Sequence, residues 1–96
     1  MYVVVRSYSG QGAPELLDLL GQREEDVKNL IRGVPGFVSY AAFRSGDGGS
    51  TVTVCQDKAG ADESSRRAAG WVKENVSTTG NPPVITEGST VLQFSS

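Results

Sequence analysis

Histidine is absent from this 96-residue sequence, and cysteine, tryptophan and methionine occur once each. Without histidine the commonest general base, the usual haem ligand and most transition-metal sites are gone. Cys55 alone can form neither an internal disulfide nor a multi-cysteine metal site. A basic excess is missing as well: 9 Lys and Arg stand against 11 Asp and Glu, with a net charge of −2 and a pI near 5.0. A nucleic-acid binder would carry a basic face. No apolar run is long enough to span a membrane. The start, Met1-Tyr2-Val3-Val4-Val5-Arg6, lacks the charged region and apolar length of a signal peptide and suits a strand instead. The expectations are therefore no metal, no cofactor, no nucleic-acid or membrane partner, and a cytoplasmic location.

What is present is ordinary for a globular chain, with 38% hydrophobic and 21% charged residues. The length predicts one domain, residues 1–96. A chain of this size buries roughly 60–70% of its unfolded surface, enough for a core without metals or disulfides. It leaves little room for a deep private site, so a pocket would use a partner copy or the seam between layers.

The pattern predicts six elements. Tyr2 to Tyr8 is β-branched and aromatic and ends at Ser9-Gly10-Gln11-Gly12, so it is the first strand. Pro14 opens a helix from about Ala13 to Arg32, with a possible bend at Gly21. Leu16, Leu20, Val27, Leu30, Ile31 and Val34 share its inner meridian, and Glu24–Lys28 is an outer i, i+4 pair. Gly33 and Pro35 stop it. Phe37 to Arg44 is a second strand, Ser45 to Gly49 a hairpin connection, and Ser50 to Gln56 a third strand. Asp62 would cap a second helix to Val76, with Asp62–Arg66 and Glu63–Arg67 pairs outside. Ser77 to Pro83 is a loop, and Val84 to Phe94 a fourth strand with a bulge at Gly88.

The order βαββαβ is an α+β, ferredoxin-like arrangement: a four-stranded antiparallel sheet with two helices on one face. Tyr2, Val4, Arg6 and Tyr8 share one strand face with Val38, Tyr40, Ala42, Arg44, Thr51, Thr53 and Cys55. The opposite face (Val3, Val5, Phe37, Ala41, Phe43, Val52, Val54) is apolar and is expected under the helices. The first face is then left to a partner, because exposed patches of that size mark interfaces. The expected partner is a second copy, a homodimer through the sheet face, with a small-molecule ligand as a further possibility.

The segment Val34-Pro35-Gly36-Phe37-Val38-Ser39-Tyr40 after an amphipathic helix, the Arg44-to-Gly49 hairpin and the second helix resemble the dimeric α+β barrel superfamily, in its antibiotic-biosynthesis-monooxygenase-like form. The resemblance covers essentially the whole chain. It implies two sheets packed face to face in a barrel, helices outside, and a ligand cleft between sheet and helices. Haem-degrading members use an asparagine, a tryptophan and a histidine; here Trp71 has no histidine to work with and the first strand has no asparagine. Cofactor-free oxygenases acting on polycyclic phenols use aromatic, asparagine and arginine side chains. Trp71, Asn75 and Arg23 are of those types, without a position-by-position match.

Each candidate residue has a functional and a bland reading. Arg23 falls on the apolar stripe of the first helix, where a buried guanidinium would need an anion; a register shift at Gly21 would instead let it reach water. Trp71 could stack on a flat ligand or serve as core, and Asn75 follows it one turn later. Tyr40 and Arg44, with Arg6 and Tyr8, could line a polar cavity or pack across a dimer with the arginines paired to Asp57 or Glu87. Cys55 would be reactive only with a depressed pKa; an inert buried thiol is the simpler reading. Gly10-Gln11-Gly12 lacks the third glycine of a dinucleotide loop and is a turn. Gly46 to Gly49 has no helix N-terminus with which to hold phosphate. Asn75-Val76-Ser77 matches a glycosylation acceptor but carries no meaning without secretion, and Arg66-Arg67 suits a solvated face.

Other tenants of this topology do not fit. The third strand lacks the aromatics of an RNA-recognition domain. Paired cysteines for metal transfer and the four cysteines of an iron–sulfur cluster are missing. Two functions stay open. One is a cofactor-independent, monooxygenase-like enzyme for a small aromatic or apolar anionic metabolite. Its substrate would have to supply electrons as a carbanion, yet no base is obvious beyond Tyr40 or water. The other is a non-catalytic dimer that binds a small molecule or a protein; a purely structural or stress-related small protein with no pocket is the remaining reading.

Overall fold

The computed structural model describes residues 1–76 and 80–96. The elements are β1 (Tyr2–Tyr8), α1 (Ala13–Gln22), α2 (Glu24–Arg32), β2 (Phe37–Ser45), β3 (Gly48–Cys55), α3 (Lys58–Asn75) and β4 (Val84–Ser89). The strands form one sheet in the order β2-β3-β1-β4, every pair antiparallel. This is the ferredoxin-like α+β arrangement, with the first helix divided in two. None of the described helices is long and apolar enough to cross a membrane.

The division of the first helix corrects the single helix expected over 13–32. Arg23 leaves the helical region, with φ −110° and ψ 37°. Its N–H still reaches the Leu19 carbonyl at 2.9 Å, and its own carbonyl accepts from Val27 at 3.1 Å. The next residues are Glu24, Glu25 and Asp26, acids that favour the positive end of a new helix. The break turns Val27 and Ile31 into the core while Arg23 stays exposed.

The second predicted helix begins earlier than expected. Asp57, not Asp62, is the N-cap of α3: its carboxylate accepts from the Gly60 N–H at 3.0 Å. Asp62 pairs with Lys58 at 2.9 Å rather than with Arg66. Glu63 accepts from Arg67 at 2.9 Å and from Arg66. Arg67 is more than a solvated face, because its Nη1 donates to the Leu30 carbonyl at 2.9 Å and ties α3 to the end of α2.

At the chain's other end β4 stops at Ser89, short of the expected Phe94. Val3 faces Gly88 in an unbroken register, so the expected bulge is absent there. The sheet's irregularity lies in β2, between Phe37 and Ser39. Val38 is the extra residue, which puts Phe37 opposite Cys55 and Tyr40 opposite Thr53 on the same side. The turn from β2 to β3 is tighter than expected, two residues with Gly46 at φ +61°. Of the loop expected over 77–83, residues 77–79 lie outside the described residues.

Sidedness is the largest correction. The face carrying Val4, Arg6, Thr51, Thr53 and Cys55 is the one under the helices, and all five are buried. The apolar face is the open one, with Phe43 50% and Val84 68% exposed. Apolar side chains ordinarily seek the helices, which is why the alternation predicts the reverse. The buried start of α3, however, is small and polar (Gly60, Ala61, Ser64), and Arg6 bridges it to the sheet, donating to Ser64 on α3 and to Thr53 on β3.

Gly60 shows how tightly this layer is built. A Cβ there would sit 2.7 Å from the Pro35 carbonyl oxygen and 3.1 Å from the Cys55 Cβ. Gly60→Ala must push α3 off the sheet. It is expected to cost about 1–3 kcal/mol in urea unfolding, as overpacked cores do. A midpoint equal to that of the parent protein would show that α3 is not seated this closely.

Candidate functional site

Between β1, α1, α3 and the 80–85 segment lies a cleft of about 240 Å³. Tyr8, Leu16, Ala69, Val72 and Ile85 give it apolar walls, and Arg6 and Ser65 give it a polar floor. Its rim is closed where the Asn81 N–H donates to the Gln11 carbonyl at 3.2 Å. The cleft runs into a narrow seam lined by Tyr8, Leu16 and Val72 again, and by Tyr40, Thr51 and Trp71. Tyr8, Tyr40 and Trp71 thus meet in one seam, and Tyr8 joins it to the cleft.

Arg6 is 2% exposed. Its Nη1 donates to Thr53 at 3.1 Å and, more weakly, to Thr51 at 3.5 Å. Its Nη2 donates to Ser64 at 2.8 Å and Ser65 at 2.9 Å. Ser64 donates its own proton to the Ala61 carbonyl at 2.7 Å, which leaves its lone pairs for Arg6. All four acceptors are neutral hydroxyls. Among the described residues no carboxylate forms an ion pair with Arg6, and its buried Nε has no partner. Neither expected partner is in place: Glu87 accepts from Tyr2 at 3.0 Å, and Asp57 caps α3. Burial lowers the Arg6 pKa, offset in part by Tyr8, Tyr40, Cys55 and Glu87.

The residues singled out from the sequence divide between the cleft and the surface. Tyr40 and Trp71 meet in the seam beside the cleft. Arg23 lines none of the described cavities; it is exposed at the α1–α2 break, its Nε 2.7 Å from Asp26. Asn75 spends its amide on the Trp71 carbonyl at 2.9 Å within α3. Arg44 is exposed and bound to Asp18 at 2.6 Å. It borders a larger groove of about 510 Å³ between α1, α2 and β2, which Glu24, Lys28 and Arg32 also line. Lys28 is matched there by Glu24 at 2.9 Å, and Arg32 is exposed to solvent. The cleft is the better candidate because it alone holds a buried charge without a counter-ion. Arg6 and Tyr8, which the sequence places on the face of a possible polar cavity, both line the cleft. The usable signal was an arginine at an inward position of a valine-rich strand, with hydroxyl residues in the strand and helix that cover it.

Three solved structures with essentially this whole fold give the comparison. The NE2512 protein of unknown function from Nitrosomonas europaea superposes with a TM-score of 0.70 at 16% identity, over 99% of this chain and 92% of that one. A monooxygenase from the gene ActVA-Orf6 of Streptomyces coelicolor, in complex with the ligand nanaomycin D, gives 0.60 at 22% identity, over 99% and 89%. SnoaB, a cofactor-independent oxygenase from Streptomyces nogalater, gives 0.51 at 16% identity, over 97% and 92%. Neither a protein-family model nor a curated protein sequence matches this chain. The likeness to these structures shows the fold, a ferredoxin-like α+β arrangement.

Burial sets the chemistry of the remaining groups. It pushes the Tyr8 and Tyr40 phenols above their usual 10.0, against the pull of Arg6. It also raises the Cys55 thiol, which is 0% exposed. Cys55 should therefore stay unmodified by a thiol reagent until the protein unfolds; prompt labelling of the native protein would contradict the burial. For the phenols, both folded and unfolded chains are protonated below pH 10. Above it the unfolded chain loses protons that the folded chain keeps, so stability must fall with rising pH. Phenolate absorbance should lag behind that of the urea-unfolded chain, and superimposable titrations would refute it.

Proposed function

We propose that this protein is a cofactor-independent, monooxygenase-like domain that takes a small, planar, largely apolar aromatic metabolite into the cleft between its sheet and helices. The observation that carries the reading is the continuous wall of Tyr8, Leu16 and Val72 joining the cleft to the Tyr40–Trp71 seam. Concave, mostly apolar sites with a few convergent polar groups are the usual form of a small-molecule pocket. The monooxygenase with nanaomycin D and the oxygenase SnoaB, which share the fold, favour oxygen chemistry.

A second reading, a non-catalytic binding protein, is favoured by one specific feature. No Asp, Glu or Lys is among the described residues of the cleft, and the neighbouring phenols, already protonated at neutral pH, are pushed further up by burial. A base to form a carbanion would have to be water or the ligand itself. Consumption of oxygen with an aromatic ligand bound separates the two readings. Saturable binding without oxygen uptake favours the binder.

The homodimer belongs to this proposal. The open sheet face presents Val3, Val5, Val52, Phe43 and Val84, and Val91, Leu92 and Phe94 are exposed beyond β4. An apolar patch of this kind favours a second copy as its cover. The cytoplasm is the compartment implied by a single free thiol.

Native mass spectrometry on protein purified without added ligand is the test. A dimer carrying a non-covalent small-molecule mass is the expected result. A bare monomer at micromolar concentration would overturn the dimer. Phe43→Glu should shift the protein to monomer, since burying two carboxylates at a two-fold contact is unfavourable. Val72→Trp should fill the cleft, lose the bound mass and keep the dimer; retention of the mass would put the ligand elsewhere.

A further inference from the structure

We propose that Arg6 is an oxyanion anchor, so that the cleft selects aromatic ligands carrying a negatively charged oxygen, a carboxylate or a phenolate, over their neutral counterparts. The proposal rests on the cleft being the ligand site and adds the ligand's charge and the residue that reads it.

A buried guanidinium is ordinarily paired with an anion, because leaving a charge uncompensated in a low dielectric is costly. Arg6 is 2% exposed and has only hydroxyl acceptors, Thr51 and Thr53 on β3 and Ser64 and Ser65 on α3. Hydroxyls satisfy hydrogen-bonding geometry without neutralising the charge. The Nε atom lacks even that, having no partner. Arg6 nevertheless lines the 240 Å³ cleft, together with Ser65.

A purely structural arginine would explain the four hydrogen bonds. It does not explain why a cation, rather than a glutamine or an apolar side chain, sits beneath an apolar cleft with no acid in its lining. An incoming oxyanion supplies the missing charge. Charge-assisted hydrogen bonds to guanidinium are about twice as strong as neutral ones, and the apolar walls weaken screening. The walls fix the rest of the ligand: Leu16 and Val72 accept the flat faces of a ring, and Tyr8 continues that wall toward the seam.

The test uses two matched ligand pairs and isothermal calorimetry at neutral pH. The first pair is 2-naphthoate and 2-naphthamide. The second is the anion of 2-hydroxy-1,4-naphthoquinone and its neutral methyl ether. The parent protein is expected to bind the anion of at least one pair about 10-fold or more tightly than its neutral partner, as charged hydrogen bonds require. The pair that shows the preference identifies the source as carboxylate or phenolate. Arg6→Met should erase the preference while leaving the neutral ligand's affinity within a few-fold. Ser65→Asp, which supplies a carboxylate beside the guanidinium, should erase it too, and this keeps the test open if Arg6→Met does not fold. Equal binding of anion and neutral partner in both pairs would overturn the anchor and leave the cleft intact as a ligand site. So would a preference that survives a folded Arg6→Met. Failure of all four compounds to bind would overturn the anchor together with the cleft reading on which it rests.

Discussion

Arg6 reaches from the middle of β1 to hydroxyls on β3 and on α3, and most of the structure's particular features follow from accommodating it. Its Nη atoms hold Thr53 and Ser64 at 3.1 and 2.8 Å, so sheet and helix layer meet over a guanidinium rather than over leucines. A cation in that place demands small hydroxyl side chains around it. The stripe of α3 that covers it starts small, with Gly60, Ala61 and Ser64, and turns to Trp71 and Val72 only further along the helix. With so slight a start, α3 must approach the sheet closely, and Gly60 beside the Pro35 carbonyl makes that approach possible.

The same constraint accounts for the division of labour between the sheet's faces. The inner face is polar at its centre and aromatic at its margin, where Tyr8, Tyr40 and Trp71 surround the seam. The outer face carries the apolar residues, half or more exposed at Phe43 and Val84. Such a chain buries hydrogen-bonded polarity inside and leaves hydrophobic area outside. Association through that outer face would remove the apolar area from water, at roughly 25 cal/mol for each Å² covered.

Much of the fold was legible in the sequence, for local reasons. Strand alternation, Pro14 at the start of a helix, Gly33 and Pro35 at its end, and glycine in the β2–β3 turn are consequences of backbone sterics, which act within a few residues. The boundaries that failed were those decided by competition between neighbours. Asp57 and Asp62 are both acceptable caps, and the seat of Gly60 against Pro35 favours the earlier one. Gly88 resembled a bulge, yet its pairing with Val3 is regular, and the extra residue is Val38.

The site divides along the same line. Tyr40 and Trp71 could be named from the sequence because aromatic side chains beside an apolar stripe are visible in its periodicity. Arg23 could be named too, but its fate depended on a break at one residue, which turned the helix and left it with Asp26 at the surface. The sequence by itself determined the element order, the antiparallel sheet and the absence of a histidine- or cysteine-based metal centre, since these follow from residue identity and short-range geometry. Only the tertiary structure decided which sheet face lies under the helices, and with it that Arg6 is the buried charge beneath the cleft. Sidedness is a sum over contacts between distant segments, and in the fold Arg6 lies under the helices bonded to Ser64 and Ser65, opposite to what the apolar pattern alone predicts.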